Sequence, residues 1–98
     1  MAKEIFLKRK FKIENIILEK FEPYFFSVLD VSEQHRGHRN FEEDVESHFD
    51  ITIVSEKFKN IKRIERHRMV NRSLKEEFLN DLHSAIIKTY TIDEYKNI

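Results

Sequence analysis

Ninety-eight residues with 40% apolar side chains and nine phenylalanines supply one hydrophobic core and no second. Eighteen basic and eighteen acidic residues cancel, so the chain as a whole is not built as a polyanion binder, and 37% charge with one glycine and one proline is unlike a low-complexity or disordered chain. The absence of cysteine excludes a disulfide framework, a thiol redox role and a cysteine nucleophile.

The amino-terminal stretch, Met1 to Lys12, alternates short apolar and basic pieces. It lacks the apolar core of about 7–15 residues that a signal peptide carries. No run approaches the ~18 apolar residues of a membrane span, so a cytoplasmic protein is expected. Ile13, Ile16, Ile17 and Phe21 fall at helical spacing and predict an amphipathic helix over about residues 10–21. Pro23 stops it, because the residue before a proline is pushed out of the helical region. Tyr24 to Asp30 is aromatic and β-branched and reads as a first strand. Residues 32–45 are polar, hold the only glycine and read as a loop with an acidic run, Glu42-Glu43-Asp44. Phe49, Ile51 and Ile53 alternate with Asp50 and Thr52, the clearest strand pattern in the chain.

Ile64, Val70, Leu74 and Phe78 predict the apolar side of a helix over about residues 62–80. Ser84 to Thr91 reads as a third strand, and Thr91 or Asp93 can cap a final helical turn through Tyr95. The order is helix, strand, strand, helix, strand, short helix, with a core over about residues 10–95 and one domain across 1–98. A loop joins the first two strands, so they pair antiparallel. The long helix makes a crossover that sets the third strand parallel to the second. Three points then meet at one end of the sheet: the end of the first strand and the starts of the second and third.

Five histidines hang on this framework. His67 falls within the predicted apolar helix face and reads as a packed core residue. His48 opens the second strand and, under strict alternation, points away from the Phe49 face, which suits a structural or surface role. His35 and His38 sit in the loop, either solvated or ligating. His83 opens the third strand, where a local backbone contact is the ordinary role. No His-x-x-x-His helical spacing marks a zinc site. Imidazole is nonetheless a ready metal ligand, and without thiolates this chain must use it or take sulfur from a partner. The convergence of strand ends brings His35, His38, His48 and His83 toward one place.

Between Lys57 and Arg72 stand seven cations and one acid, Glu65. Such a stretch can hold a nucleic-acid backbone through Lys62, Arg63, Arg66 and Arg68, or it can be a solvated helix face balanced by the acidic loop.

Together these residues say more than they do singly. Phe21-Glu22-Pro23, Leu29 to His38, Glu46-Ser47-His48-Phe49, Val54-Ser55-Glu56-Lys57-Phe58, Arg66-His67-Arg68-Met69-Val70, Leu82-His83-Ser84 and Thr89-Tyr90-Thr91 form a series that resembles the BolA family from about residue 13 to 95. The resemblance implies an α/β (α+β) fold of the class II KH-like type, a three-stranded mixed sheet with helices packed on one side. It also implies an adaptor that partners a monothiol glutaredoxin and shares a [2Fe–2S] cluster in iron–sulfur cluster trafficking or iron sensing. In such complexes the glutaredoxin and a glutathione supply sulfur. Carried over by motif, His35 is the loop ligand, with His38 as its alternative, and His83 is the second ligand. Some family members are described as transcriptional regulators, which keeps DNA as a possible partner of the basic helix. The chain departs from the family pattern at Asn60, where a glycine commonly ends the Phe-x-Gly turn; asparagine tolerates the left-handed conformation. The Gly-x-x-Gly loop of true KH domains is absent. No paired carboxylates, nucleophile constellation or phosphate loop is visible, so neither an enzyme nor a small-molecule substrate is expected.

Overall fold

The computed structural model describes residues 9–31, 48–75 and 84–98. Helix α1 spans Arg9–Phe21 and buries Ile13, Ile17 and Phe21, one side of the predicted periodicity. It ends in a left-handed residue, Glu22 (φ 43°), whose N–H donates to the Leu18 carbonyl at 3.3 Å, and Pro23 follows. A single left-handed residue of this kind is a common helix stop. Strand β1 covers Phe25–Asp30 and strand β2 His48–Val54. Helix α2 spans Arg63–Ser73, strand β3 Ser84–Tyr90 and helix α3 Ile92–Lys96.

The strand order is β1-β2-β3, with β1 antiparallel and β3 parallel to β2, as the connection rules require. The register sorts the side chains into two faces. Phe26, Val28, Phe49, Ile51, Ile53, Ala85 and Ile87 share one face, and together with Ile13, Ile17 and Phe21 of α1 and Val70 and Leu74 of α2 they form the core. Helices α1 and α2 therefore lie on the same side of the sheet. Helix α3 sits past the end of β3, where Tyr95 stacks on Phe25 (5.4 Å between ring centroids) and tilts against Tyr90 (5.8 Å). Among the described residues no helix is long and apolar enough to cross a membrane.

After β2 the chain makes a 3₁₀ turn, Glu56–Phe58. Buried Ser55 secures it: its hydroxyl accepts from the Lys57 N–H at 3.1 Å and donates to the Phe21 carbonyl at 2.6 Å. One serine thus ties the end of β2 to the end of α1. Phe58 is fully buried and its ring lies 5.4 Å from that of Phe21. Asn60 is left-handed (φ 64°), a conformation that asparagine tolerates.

The α2 face differs from the sequence expectation. Ile64 is 60% exposed and His67 is exposed, so neither belongs to the core. The buried residues are Arg66, Val70 and Leu74, four apart, with Met69 partly buried beside them. At about 100° per residue His67 stands a quarter-turn off this stripe and Ile64 nearly opposite it. Hydrophobicity pointed to Ile64, whereas the position facing inward carries an arginine whose charge is matched inside the protein. Phe78, also expected on this face, lies outside the described residues, as do residues 32–47.

The left-handed turn at Asn60 gives a stability prediction. Asn60→Gly leaves urea-induced unfolding within about 0.5 kcal/mol of the wild type, whereas Asn60→Val costs about 1–2 kcal/mol, because a β-branched side chain resists positive φ.

Candidate functional site

At the Asp30 end of the sheet, the end of β1 and the starts of β2 and β3 lie side by side. Asp30 pairs with Phe49 and His48 pairs with Ser84, while the Val31 N–H donates to the His48 carbonyl at 2.9 Å. His48 is half-buried on the face opposite Phe49, in keeping with the alternation. His35, His38 and His83, the candidate ligands, lie outside the described residues. Their segments join the sheet here: residues 32–47 run between Val31 and His48, and His83 directly precedes Ser84. Among the described residues, no three histidine, aspartate or glutamate side chains converge as a metal site.

The basic stretch begins at the opposite end, and α2 carries it back along the sheet. The 3₁₀ turn and the start of α2 follow the Val54 end of β2, and an Arg63 guanidinium N–H donates to the Thr89 carbonyl near the end of β3 at 3.4 Å. Lys62, Arg63 and Arg68 are exposed, as are Lys57 and Lys59. Arg68 reaches back to Glu65 at 2.6 Å on the surface. Arg66 departs from the expected set. It is 5% exposed and cannot offer its charge to a phosphate. Its guanidinium forms a two-pronged pair with Glu94 (2.7 and 3.1 Å), donates to the Ile61 carbonyl at 2.7 Å and lies 5.8 Å from the centre of the Phe58 ring. Arg66-His67-Arg68 thus sends its three side chains to the interior, to solvent and to a surface carboxylate.

The family model described as BolA-like protein matches residues 17–94. The chain belongs to the BolA family. It is 37% identical over 86 residues to the DNA-binding transcriptional regulator BolA of Vibrio cholerae, covering 88% of this chain and 77% of that protein. The protein of the same name from Escherichia coli K12 is 34% identical, over 89% of this chain and 79% of its own length. Among solved structures, BolA1 from Arabidopsis thaliana superposes with a TM-score of 0.81 at 32% identity, covering 90% of this chain and 96% of that one. The BolA domain of SufE1 from the same plant superposes at 0.79 with 34% identity, covering 88% and 94%.

In this BolA-family chain the carboxylate that receives Arg66 was not among the residues singled out from sequence. Glu94 closes a capping box on α3: the Thr91 hydroxyl accepts from the Glu94 N–H at 3.1 Å, and the Glu94 carboxylate accepts from the Thr91 N–H at 2.9 Å. The Thr-x-x-Glu spacing before a helical turn was the signal that could have found it. Its carboxylate therefore serves two elements at once, starting α3 and neutralising an arginine inside α2.

The hydrogen bonds from Arg66 and the Thr91 N–H lower the Glu94 pKa from 4.5 to about 2. A carboxylate lowered on folding stabilises the native state above its unfolded pKa and loses that contribution as the pH falls through its folded one. The stability advantage of the wild type over Glu94→Gln is therefore full above about pH 4.5 and declines toward pH 2. Paired denaturant titrations across that range measure the decline.

Proposed function

We propose that this chain is an adaptor, not an enzyme, that partners a monothiol glutaredoxin in the cytoplasm and shares a [2Fe–2S] cluster with it in iron–sulfur cluster trafficking or iron sensing. The observation that carries the reading is the register at the Asp30 end: His48 against Ser84, with Val31 bonded to the His48 carbonyl. The segments bearing the Asp30-x-Ser32-x-x-His35 and Leu82-His83-Ser84 motifs both join the sheet there. The donor chemistry suits the cluster. Two imidazoles can replace two thiolates on one iron, as in Rieske centres, where the exchange raises the reduction potential. With no cysteine of its own, the chain leaves sulfur to the glutaredoxin and its glutathione. His35 is the loop ligand, with His38 as the alternative, and His83 is the second.

A second reading, a DNA-binding regulator, draws support from the names of the Vibrio cholerae and Escherichia coli relatives and from the cations at the other sheet end. It rests on Lys62, Arg63 and Arg68, with Arg66 held inside. Phosphate contacts by these three give a salt slope of about −2.7 in log K against log salt, and Lys62→Ala lowers the slope by about 0.9. Gel shifts over a salt series measure both. No complex at ~150 mM salt counts against DNA binding.

Mixing the protein with cluster-loaded glutaredoxin tests the first reading. Its visible circular dichroism changes with the wild type and reverts toward glutaredoxin alone with His83→Ala. Comparison of His35→Ala with His38→Ala identifies the loop ligand. An unchanged spectrum, or a His83→Ala variant indistinguishable from wild type, overturns the ligand assignment.

A further inference from the structure

Strands in a parallel pair are ordinarily covered on both faces. In this fold α1 and α2 cover one face of the β2–β3 pair. Beyond half-buried His48, which pairs with Ser84 at the Asp30 end, the register places Leu29, Asp50 and Ile86 in one row of the other face, Ser27, Thr52 and Lys88 in the next, and Phe25, Val54 and Tyr90 in the third. Among the described residues, cover for this face comes from α3, whose Tyr95 bridges Phe25 and Tyr90 in the third row alone. Val54, between those two rings, is fully buried. In the uncovered first row Leu29 is 54% exposed and Ile86 is 58% exposed. These two large aliphatic side chains stand exposed on either side of Asp50.

The charges on these rows indicate what covers this face. Asp50 and Lys88 lie 3.5 Å apart as an ion pair, diagonal to one another across β2 and β3. One charge of each sign, beside two aliphatic side chains, gives no attraction to a polyanion or a polycation. It is self-complementary under a two-fold operation. An axis between two stacked sheets, at right angles to the Asp50–Lys88 vector, sets each Asp50 over Lys88 of the second copy and each Lys88 over its Asp50. Ile86, displaced to the side of that vector, then meets its own copy near the axis. This is the reciprocal pattern of an isologous interface.

We infer that the open face of the sheet, centred on Asp50, Ile86 and Lys88, docks a second copy of this chain in a two-fold, face-to-face dimer. At strand spacings of about 4.8 Å and rises of about 3.4 Å per residue, the two open rows measure about 15 by 14 Å. That is well short of the ~800 Å² per partner of a stable interface, so the dimer is weak and reversible.

Sedimentation velocity on the full chain over a concentration series to about 1 mM tests this. The mean mass rises toward that of a dimer with concentration. Ile86→Asp, an exposed position whose substitution leaves the far-ultraviolet circular dichroism unchanged, remains monomeric throughout. Lys88→Asp weakens association at least 10-fold by facing like charges, and the double exchange Asp50→Lys/Lys88→Asp restores it. A monomer mass at every concentration, self-association undiminished in Ile86→Asp, or a double exchange no better than Lys88→Asp overturns the inference.

Discussion

Parallel pairing of β2 with β3 is the constraint on which the rest of this fold depends. Two strands can run parallel only if the chain returns to the starting end between them, and here the return passes through α2. The return brings the start of β3 beside the start of β2, whereas the antiparallel hairpin partner β1 brings its end there. One antiparallel and one parallel pairing thus collect three chain junctions at a single edge. With both pairings antiparallel, Ser84 would lie at the Val54 end, away from His48 and Val31. The proposed cluster-sharing role is a consequence of topology before it is a matter of any one histidine.

A crossover helix must be held against the sheet, and Arg66 with Glu94 does this at the start of α2. Burying an arginine is costly unless its hydrogen bonds are met, and replacing such pairs with apolar residues is often neutral or stabilising. What this pair contributes beyond stability is location. The guanidinium takes the two carboxylate oxygens in the planar, two-pronged arrangement that lysine cannot reproduce. It also takes the Ile61 carbonyl just before α2. The carboxylate in turn starts α3 through the Thr91 cap. The segment before α2, α2 itself and the helix after β3 are therefore joined through two side chains, at the end of the sheet remote from the histidine-bearing segments.

Much of this was legible from sequence because it depends on periodicity. The alternation of Phe49, Ile51 and Ile53 gave β2 its faces, and Ile13, Ile17 and Phe21 gave α1 its buried side. Length and chain order gave the strand directions. The α2 face misled for a physical reason: hydrophobic pattern reading assumes that charges face water, and it therefore assigned Ile64 and His67 inward and Arg66 outward. A buried arginine paired with a partly exposed carboxylate defeats that assumption, because the carboxylate lies 28 residues away in a helix of five residues. The sequence offered a local trace of the partner in the Thr91-x-x-Glu94 box, but a capping box announces only its own helix and says nothing of a distant arginine.

The two proposed surfaces lie at opposite ends of the same strands, and this separation has electrostatic consequences. Strands of six or seven residues extend about 20 Å at standard rise. The Debye length at physiological salt is about 8 Å, so exposed charges at the two ends are separated by more than twice the screening distance. A change in charge of the proposed cluster at the Asp30 end would therefore exert little direct pull on phosphates held near Lys62 and Arg63. Any influence of one end on the other must be mechanical, carried by the sheet and by α2. The Arg66–Glu94 pair and the Ser55 tie to α1 fasten the basic end to the helices. On either proposed reading, the charge of a ligand at one end would leave the other end largely unperturbed.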